Sequence, residues 1–170
     1  MNPNTEKDFL KAYDNYGDAI FRYCFSQTSD KELAKDLTQE TFTKVWEYLL
    51  SGKIIEQIRP FLYRVATNLV IDYRRKKRPQ ISLEFAMEEG TDFEAKEGKY
   101  NIEMGFDGEY AVKQLNKLDD KYKQALSLRY IENMSIKEIS EATGETETNI
   151  SVRLHRGMEK LKNGFKSGAL

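Results

Sequence analysis

The sequence predicts an all-α protein of two small helical domains joined by a flexible acidic linker. Three observations predict it. Apolar residues recur at three- and four-residue steps in separate stretches on either side of the chain's middle, the period of helices that each bury one face. Pro and Gly, three and ten of 170 residues, are too sparse for a turn-rich β-sandwich. The middle is acidic and has no sustained period. At about 100–150 residues per ordinary domain, the length suits one domain or two small ones.

Phe9, Ala12, Tyr13, Tyr16, Ile20, Tyr23 and Cys24 form the buried stripe of a first helix. Ser29 followed by Glu32 reads as a capping box, in which hydroxyl and carboxylate each satisfy a free N–H at a helix start. The second helix then carries Leu33, Leu37, Thr41, Val45 and Tyr48 on one face and ends at Gly52. A third helix starts near Arg59-Pro60, since Pro suits a first turn. Its stripe is Phe61, Leu62, Val65, Leu69 and Tyr73, and a different face carries Arg64, Thr67, Asn68, Ile71, Asp72 and Arg75. These three helices make a bundle within a first domain of residues 1–78.

Residues 79–107 read as the linker. They open with Pro79 and carry Gly90, Gly98 and Gly105. From Ser82 to Tyr110 nine acidic residues face two lysines, so this stretch holds −7 of a total of −1 and the remainder holds +6. Low hydrophobicity with charge of one sign favours flexibility.

The second domain spans 108–170. Leu118-Asp119 reads as a hydrophobic staple and N-cap for a helix to about Ile131. Ser135 and Glu138 form another capping box, opening a short helix through Ala142. Gly144 in the next turn adopts a left-handed conformation cheaply. A last helix from Thr146 buries Ile150, Leu154, Met158, Leu161 and Phe165 and shows Asn149, Val152, Arg153, Arg156 and Lys160. A short capped helix, a Gly turn and a basic amphipathic helix make a helix-turn-helix. Thr146, Thr148 and Asn149 at its start suit base edges; Ser151, Arg153 and Arg156 suit phosphates or bases. A helical hairpin with a solvated basic face has the same pattern, so this element alone leaves a protein-only role open.

Composition leans away from catalysis. One His, His155, and one Cys, Cys24, supply neither a disulfide, nor a metal cluster, nor a nucleophile–base pair. No catalytic residue, metal, cofactor or small-molecule substrate is expected. No apolar run approaches the ~20 residues of a membrane span and no signal peptide opens the chain, so a cytoplasmic location is expected. Two basic places, Arg74–Arg78 and the last helix, suggest two anion-binding surfaces. Trp46, Tyr48, Tyr63 and Tyr73 lie near the first run, and exposed rings beside cations suit unstacked bases. Most such rings nevertheless serve a core.

The stretch DKELAKDLTQETFTKVWEYL (30–49) with RPFLYRVATNLVIDYRRKKR (59–78) closely resembles the second conserved region of bacterial RNA polymerase sigma factors. LDDKYKQALSLRYIENMSIKEISEATGETETNISVRLHRGMEKLK (118–162) resembles their fourth region. The order and the short separation resemble the extracytoplasmic-function (ECF) group of the sigma-70 family. The resemblance implies partners: core RNA polymerase through its β′ and β subunits, promoter DNA, and an anti-sigma protein, free or membrane-bound. It assigns polymerase binding to Asp36, Leu37, Gln39, Glu40 and Lys44. Phe42 and Trp46 share that motif but suit the core equally, Trp46 better. It assigns the melted −10 strand to Arg64, Thr67, Asn68, Asp72, Arg74 and Arg75, aided by the loop from Ser51 to Ile58. It assigns the −35 duplex to Thr146, Thr148, Asn149, Ser151, Val152, Arg153 and Arg156. Thr146, Thr148 and Ser151 depart from the Pro, Gly and basic residue common in the family's recognition helices, which leaves the −35 sequence open.

Other classes fit less well. A plain repressor would need a dimer surface and no polymerase-binding helix. A protein-only adaptor would not need the basic recognition helix. A metal-dependent nuclease would need preorganised carboxylates, and those of the linker lie in an irregular segment.

Overall fold

The computed structural model describes residues 3–84 and 112–167, with side chains over 3–77 and 112–164, and the regular structure among the described residues is helical. Helices α1 (Pro3–Thr28), α2 (Lys31–Leu50) and α3 (Ile58–Glu84) form the N-terminal part. A short helical segment, 112–116, precedes α4 (Asp120–Leu126), which runs directly into a π-helical turn, Ser127–Ile131. Helices α5 (Ile136–Thr143) and α6 (Glu147–Ser167) follow.

The α1 stripe folds inward as its period requires. Ala12, Ile20, Tyr23 and Cys24 are buried, while Tyr13 stays half exposed. Phe9 packs edge-on to Phe42 at 6.2 Å and against Trp46 at 4.9 Å, and Tyr13 meets Phe42 at 4.9 Å. Such tilted ring pairs stabilise beyond the area they bury.

The expected Ser29–Glu32 capping box does not form. Ser29 takes a left-handed φ of 53°, and Asp30 becomes the N-cap, accepting the Leu33 N–H at 3.2 Å. Glu32 instead pairs with Lys35 on the surface. The two-residue turn between α1 and α2 puts the cap one position later than the motif suggests. Gly52 follows α2 with φ of 84°, as expected of a helix stop.

Helix α3 is buried more widely than its predicted stripe. Leu62, Tyr63, Ala66, Thr67, Leu69 and Val70 are all buried, because α3 packs against α1 and α2 and also against α5. A period finds one apolar face and cannot foresee a second domain closing on another. The backbone of α3 continues to Glu84, beyond the boundary expected at residue 78. The rest of the expected linker, 85–107, lies outside the described residues.

In the C-terminal part the Asp119 carbonyl accepts the N–H groups of Tyr122 and Lys123, both at 3.0 Å, although its side chain makes no capping bond. The Ser135–Glu138 capping box forms in both directions. Gly144 is left-handed, φ 75°. At Gly157 a methyl group would come within 3.2 Å of Leu126 and 3.3 Å of Tyr122, so glycine lets α6 approach α4 closely. Buried apolar residues of both parts join in one contiguous core, from Ile20 and Leu62 to Met134 and Ile150. Among the described residues no helix is long and apolar enough to cross a membrane.

Candidate nucleic-acid interface

The α5–α6 unit presents its leading edge to solvent. Ile139, Ala142, Ile150 and Leu154 are buried and lock the two helices. The Thr146 hydroxyl accepts the Asn149 N–H at 3.1 Å and opens α6. Thr146, Thr148, Asn149, Ser151, Val152 and Arg156 are exposed on its first two turns and just beyond. Arg153 is different. Its guanidinium is held by Glu145 through two contacts, at 2.9 and 2.6 Å, and its side chain is only 19 % exposed. A charge neutralised in this way orients the turn before α6 and is less available to a phosphate. His155 pairs with Glu159 at 3.2 Å on the surface, apart from any nucleophile.

On α2, Asp36, Gln39, Glu40 and Lys44 are exposed; Gln39 and Glu40 lie three and four residues after Asp36 and Lys44 four after Glu40, so they share one outer face. Leu37, assigned to polymerase contact by resemblance, is a core residue at 5 % exposure. Phe42 is buried and Trp46 half-buried against Phe9, so both rings serve packing.

On α3 the predicted strand-binding face splits. Arg64 and Asn68 are exposed. Asp72 and Arg75 pair at 3.0 Å within one turn. Arg74 turns away to donate to the carbonyl of Gln27 at 2.8 Å and to its side chain at 3.0 Å, with Asp120 at 3.7 Å. Thr67 lies in the core, hydrogen-bonded to the Tyr23 hydroxyl at 2.8 Å, which corrects its place on the exposed face. Polar Thr in a helix reads as surface until a buried hydroxyl partner appears. In the loop before α3, Ile54 is an apolar side chain left 84 % exposed.

Sequence reasoning missed a polar cluster where the two parts meet. Glu132, its side chain 1 % exposed, accepts from Arg22 at 3.0 and 2.8 Å and from the Tyr63 hydroxyl at 2.7 Å. Arg59 donates to the Glu132 carbonyl and, at 2.9 Å, to Glu138. No local signal could reveal it, because the partners lie 69 to 110 positions apart. Burial and the Glu132 charge push the Tyr63 hydroxyl well above its ordinary pKa, so it stays a donor. Burial pushes Tyr23 up to about 12 and Cys24 up to about 12. Burial, with Arg74 beside it, lowers Lys123 to about 8. Among the described residues no group of three His, Cys, Asp or Glu side chains is placed to hold a metal.

The geometry has known counterparts. The family model for Sigma-70 region 2 matches residues 12–80, and that for Sigma-70, region 4 matches residues 109–161. The ECF RNA polymerase sigma factor SigM of Bacillus subtilis is 30 % identical over 158 residues, 92 % of this chain and 94 % of that one. SigW of the same organism is 32 % identical over 170 residues, 93 % and 89 % of the two chains. Among solved structures, the sigma factor RpoE in complex with the anti-sigma factor NepR from Bartonella quintana superposes with a TM-score of 0.77 at 20 % identity, covering 94 % of this chain and 98 % of that one. CnrH in complex with the cytosolic domain of CnrY gives 0.69 at 19 % identity, covering 95 % and 90 %.

Proposed function

Because this chain belongs to the ECF sigma factors of the sigma-70 family, non-catalytic factors that act in transcription initiation through regions 2 and 4, we propose that it docks on core RNA polymerase and reads a promoter at two separated elements. The α2 face of Asp36, Gln39, Glu40 and Lys44 meets the polymerase β′ subunit, and the C-terminal part meets β. The start of α6 enters the major groove at −35, with Thr146, Thr148, Asn149, Ser151 and Val152 near base edges and Arg156 on phosphate. The N-terminal part captures the melted −10 strand through Arg64, Asn68, Asp72 and Arg75. Holding a base out of its stack costs a few kcal/mol, which stacking and polar contacts must offset. Leu37 and Thr67 support these surfaces from the core, and Arg153 and Arg74 contribute only where their present partners release them. An anti-sigma protein is the proposed regulator, as the complexes of the two solved relatives suggest. The reading places the protein with the cytoplasmic transcription machinery.

One observation carries the reading: a region 2 bundle and a region 4 helix-turn-helix share one chain, and the leading edge of α6 is wholly exposed. The test is in-vitro transcription with purified core polymerase on a library of randomised promoters, with and without the protein. Starts that appear only in its presence, from templates sharing two spaced motifs, are the expected result. Failure to bind core polymerase would sink the reading and favour a repressor that uses the same helix-turn-helix on duplex DNA alone.

A further inference from the structure

Glu132 sits at the centre of the contact between the two parts of the molecule. Its carboxylate takes three hydrogen bonds from the other part, two from Arg22 on α1 and one from Tyr63 on α3. Its carbonyl takes another from Arg59. A buried carboxylate held by one guanidinium group and a phenol offers little net stability, since desolvation offsets the attraction. What such a cluster provides is register, because only one mutual placement satisfies every donor.

The chain around Glu132 departs from regular structure at two backbone positions and one side chain. The Glu132 N–H reaches five residues back to the Ser127 carbonyl at 3.0 Å, closing a π turn. The buried Ser127 hydroxyl has no hydrogen-bond partner. Asn133 takes a left-handed φ of 55°. π turns gather at functional positions, and departures from regular geometry persist where the surroundings over-determine them.

The closed placement also brings cations proposed for the promoter strand up to the C-terminal part. Arg74 faces Asp120 of the C-terminal part at 3.7 Å. The Arg64 guanidinium lies 4.0 Å from where a methyl group on Gly144 would stand, against the turn of the helix-turn-helix.

We propose that Glu132 is an interdomain latch, which holds the two parts closed through Arg22, Arg59 and Tyr63 and must release before polymerase and promoter are engaged. The geometry of the latch is independent of the proposed function; its consequence for binding rests on that reading. Closure lowers the apparent affinity for polymerase by the fraction of molecules that are open.

The test uses the full chain with dyes at Asp8→Cys and Lys137→Cys, both exposed positions on opposite parts; buried Cys24 is out of reach of the label. Energy transfer reports the distance between the parts, and titration with core polymerase reports affinity. Glu132→Gln and Glu132→Ala are expected to shift the distance distribution to longer values. Arg22→Gln, at a half-exposed position whose change leaves the core intact, is expected to do the same. The open variants should bind core polymerase about tenfold more tightly, the gain allowed if about one molecule in ten is open beforehand. An unchanged distance distribution in all three variants would overturn the latch. Opening without tighter binding, in a protein that does bind polymerase, would overturn its regulatory consequence. If the wild type binds no polymerase, the functional reading fails, while the distance shift still decides the latch.

Discussion

The N-terminal bundle and the C-terminal helix-turn-helix keep their shapes by different means. The bundle relies on bulk. Ile20, Tyr23, Leu62, Tyr63 and Val70 are almost wholly buried, and rings from three helices pack against one another. The helix-turn-helix is smaller and relies on backbone devices: the Ser135–Glu138 capping box, left-handed Gly144, the Thr146 cap and the close approach at Gly157. Bulk tolerates small changes at the rim and fails when a large side chain is removed. Turn devices carry less energy each, but they set the direction in which α6 leaves the turn. Damage should therefore appear as lost stability in the bundle and as misaimed recognition in the helix-turn-helix.

The largest expected effect follows from Leu62, which is fully buried where α3 meets its neighbours. Leu62→Ala should cost about 2–5 kcal/mol, the removed transfer energy plus a cavity. Thermal or denaturant unfolding measures it, and a loss under about 1 kcal/mol would mean that the bundle collapses around the gap. Next is Gly144→Val. A β-branched residue at φ 75° should cost roughly 1–2 kcal/mol from left-handed strain. Duplex binding to a −35 site should fall by more than that stability loss explains, because the turn aims α6. Equal losses in both would erase the contrast between the two parts.

How much of this was legible in the chain follows the same division. Caps and turns are local, so Ser135, Glu138, Gly144 and the start of α6 stand where the sequence puts them. The α1 stripe is legible because a single period describes a helix with one buried face. Helix α3 exceeds that rule. Thr67 and Tyr63 read as surface or undecided, yet both are buried, one against Tyr23 and the other on Glu132. Arg74 looks like part of a free basic run and is partly enclosed. Ser29 and Glu32 match a motif whose cap falls one residue later. In each of these cases the deciding partner is distant in sequence or the turn geometry shifts the register, and neither is encoded in a local pattern. The exposed candidates on α2 and α6 were readable because nothing else covers them within the described residues.

Smaller effects sharpen the contrast. Ser135→Ala removes the acceptor for the Glu138 N–H at 3.1 Å and should cost about 1 kcal/mol. Asp30→Ala in the bundle removes the corresponding bond to Leu33 and should cost a similar amount. The two should differ in duplex binding to a −35 site, which only Ser135→Ala should weaken. Equal weakening by both would mean that α2 and α5 are coupled through the shared core.

An effect of similar size is a pH dependence at Lys123, buried with a pKa lowered from 10.5 to about 8. Between these values the unfolded chain holds a proton that the folded protein has released, so stability rises with pH across that range. It is fully gained above about 10.5 and lost as pH falls through about 8. Cys24, raised from 9.0, and Tyr23, raised from 10.0, act in the opposite direction, because their unfolded forms ionise first. The Lys123 effect therefore stands alone only below about pH 9. From pH 7.5 to 9 the gain should be about 1 kcal/mol. Lys123→Met should abolish the slope and raise stability at pH 7, because no cation then needs to be buried beside Arg74. Chemical denaturation at the two pH values, in wild type and variant, measures both. A slope that survives the substitution would assign the titration to another group and would mean that Lys123 keeps its charge solvated.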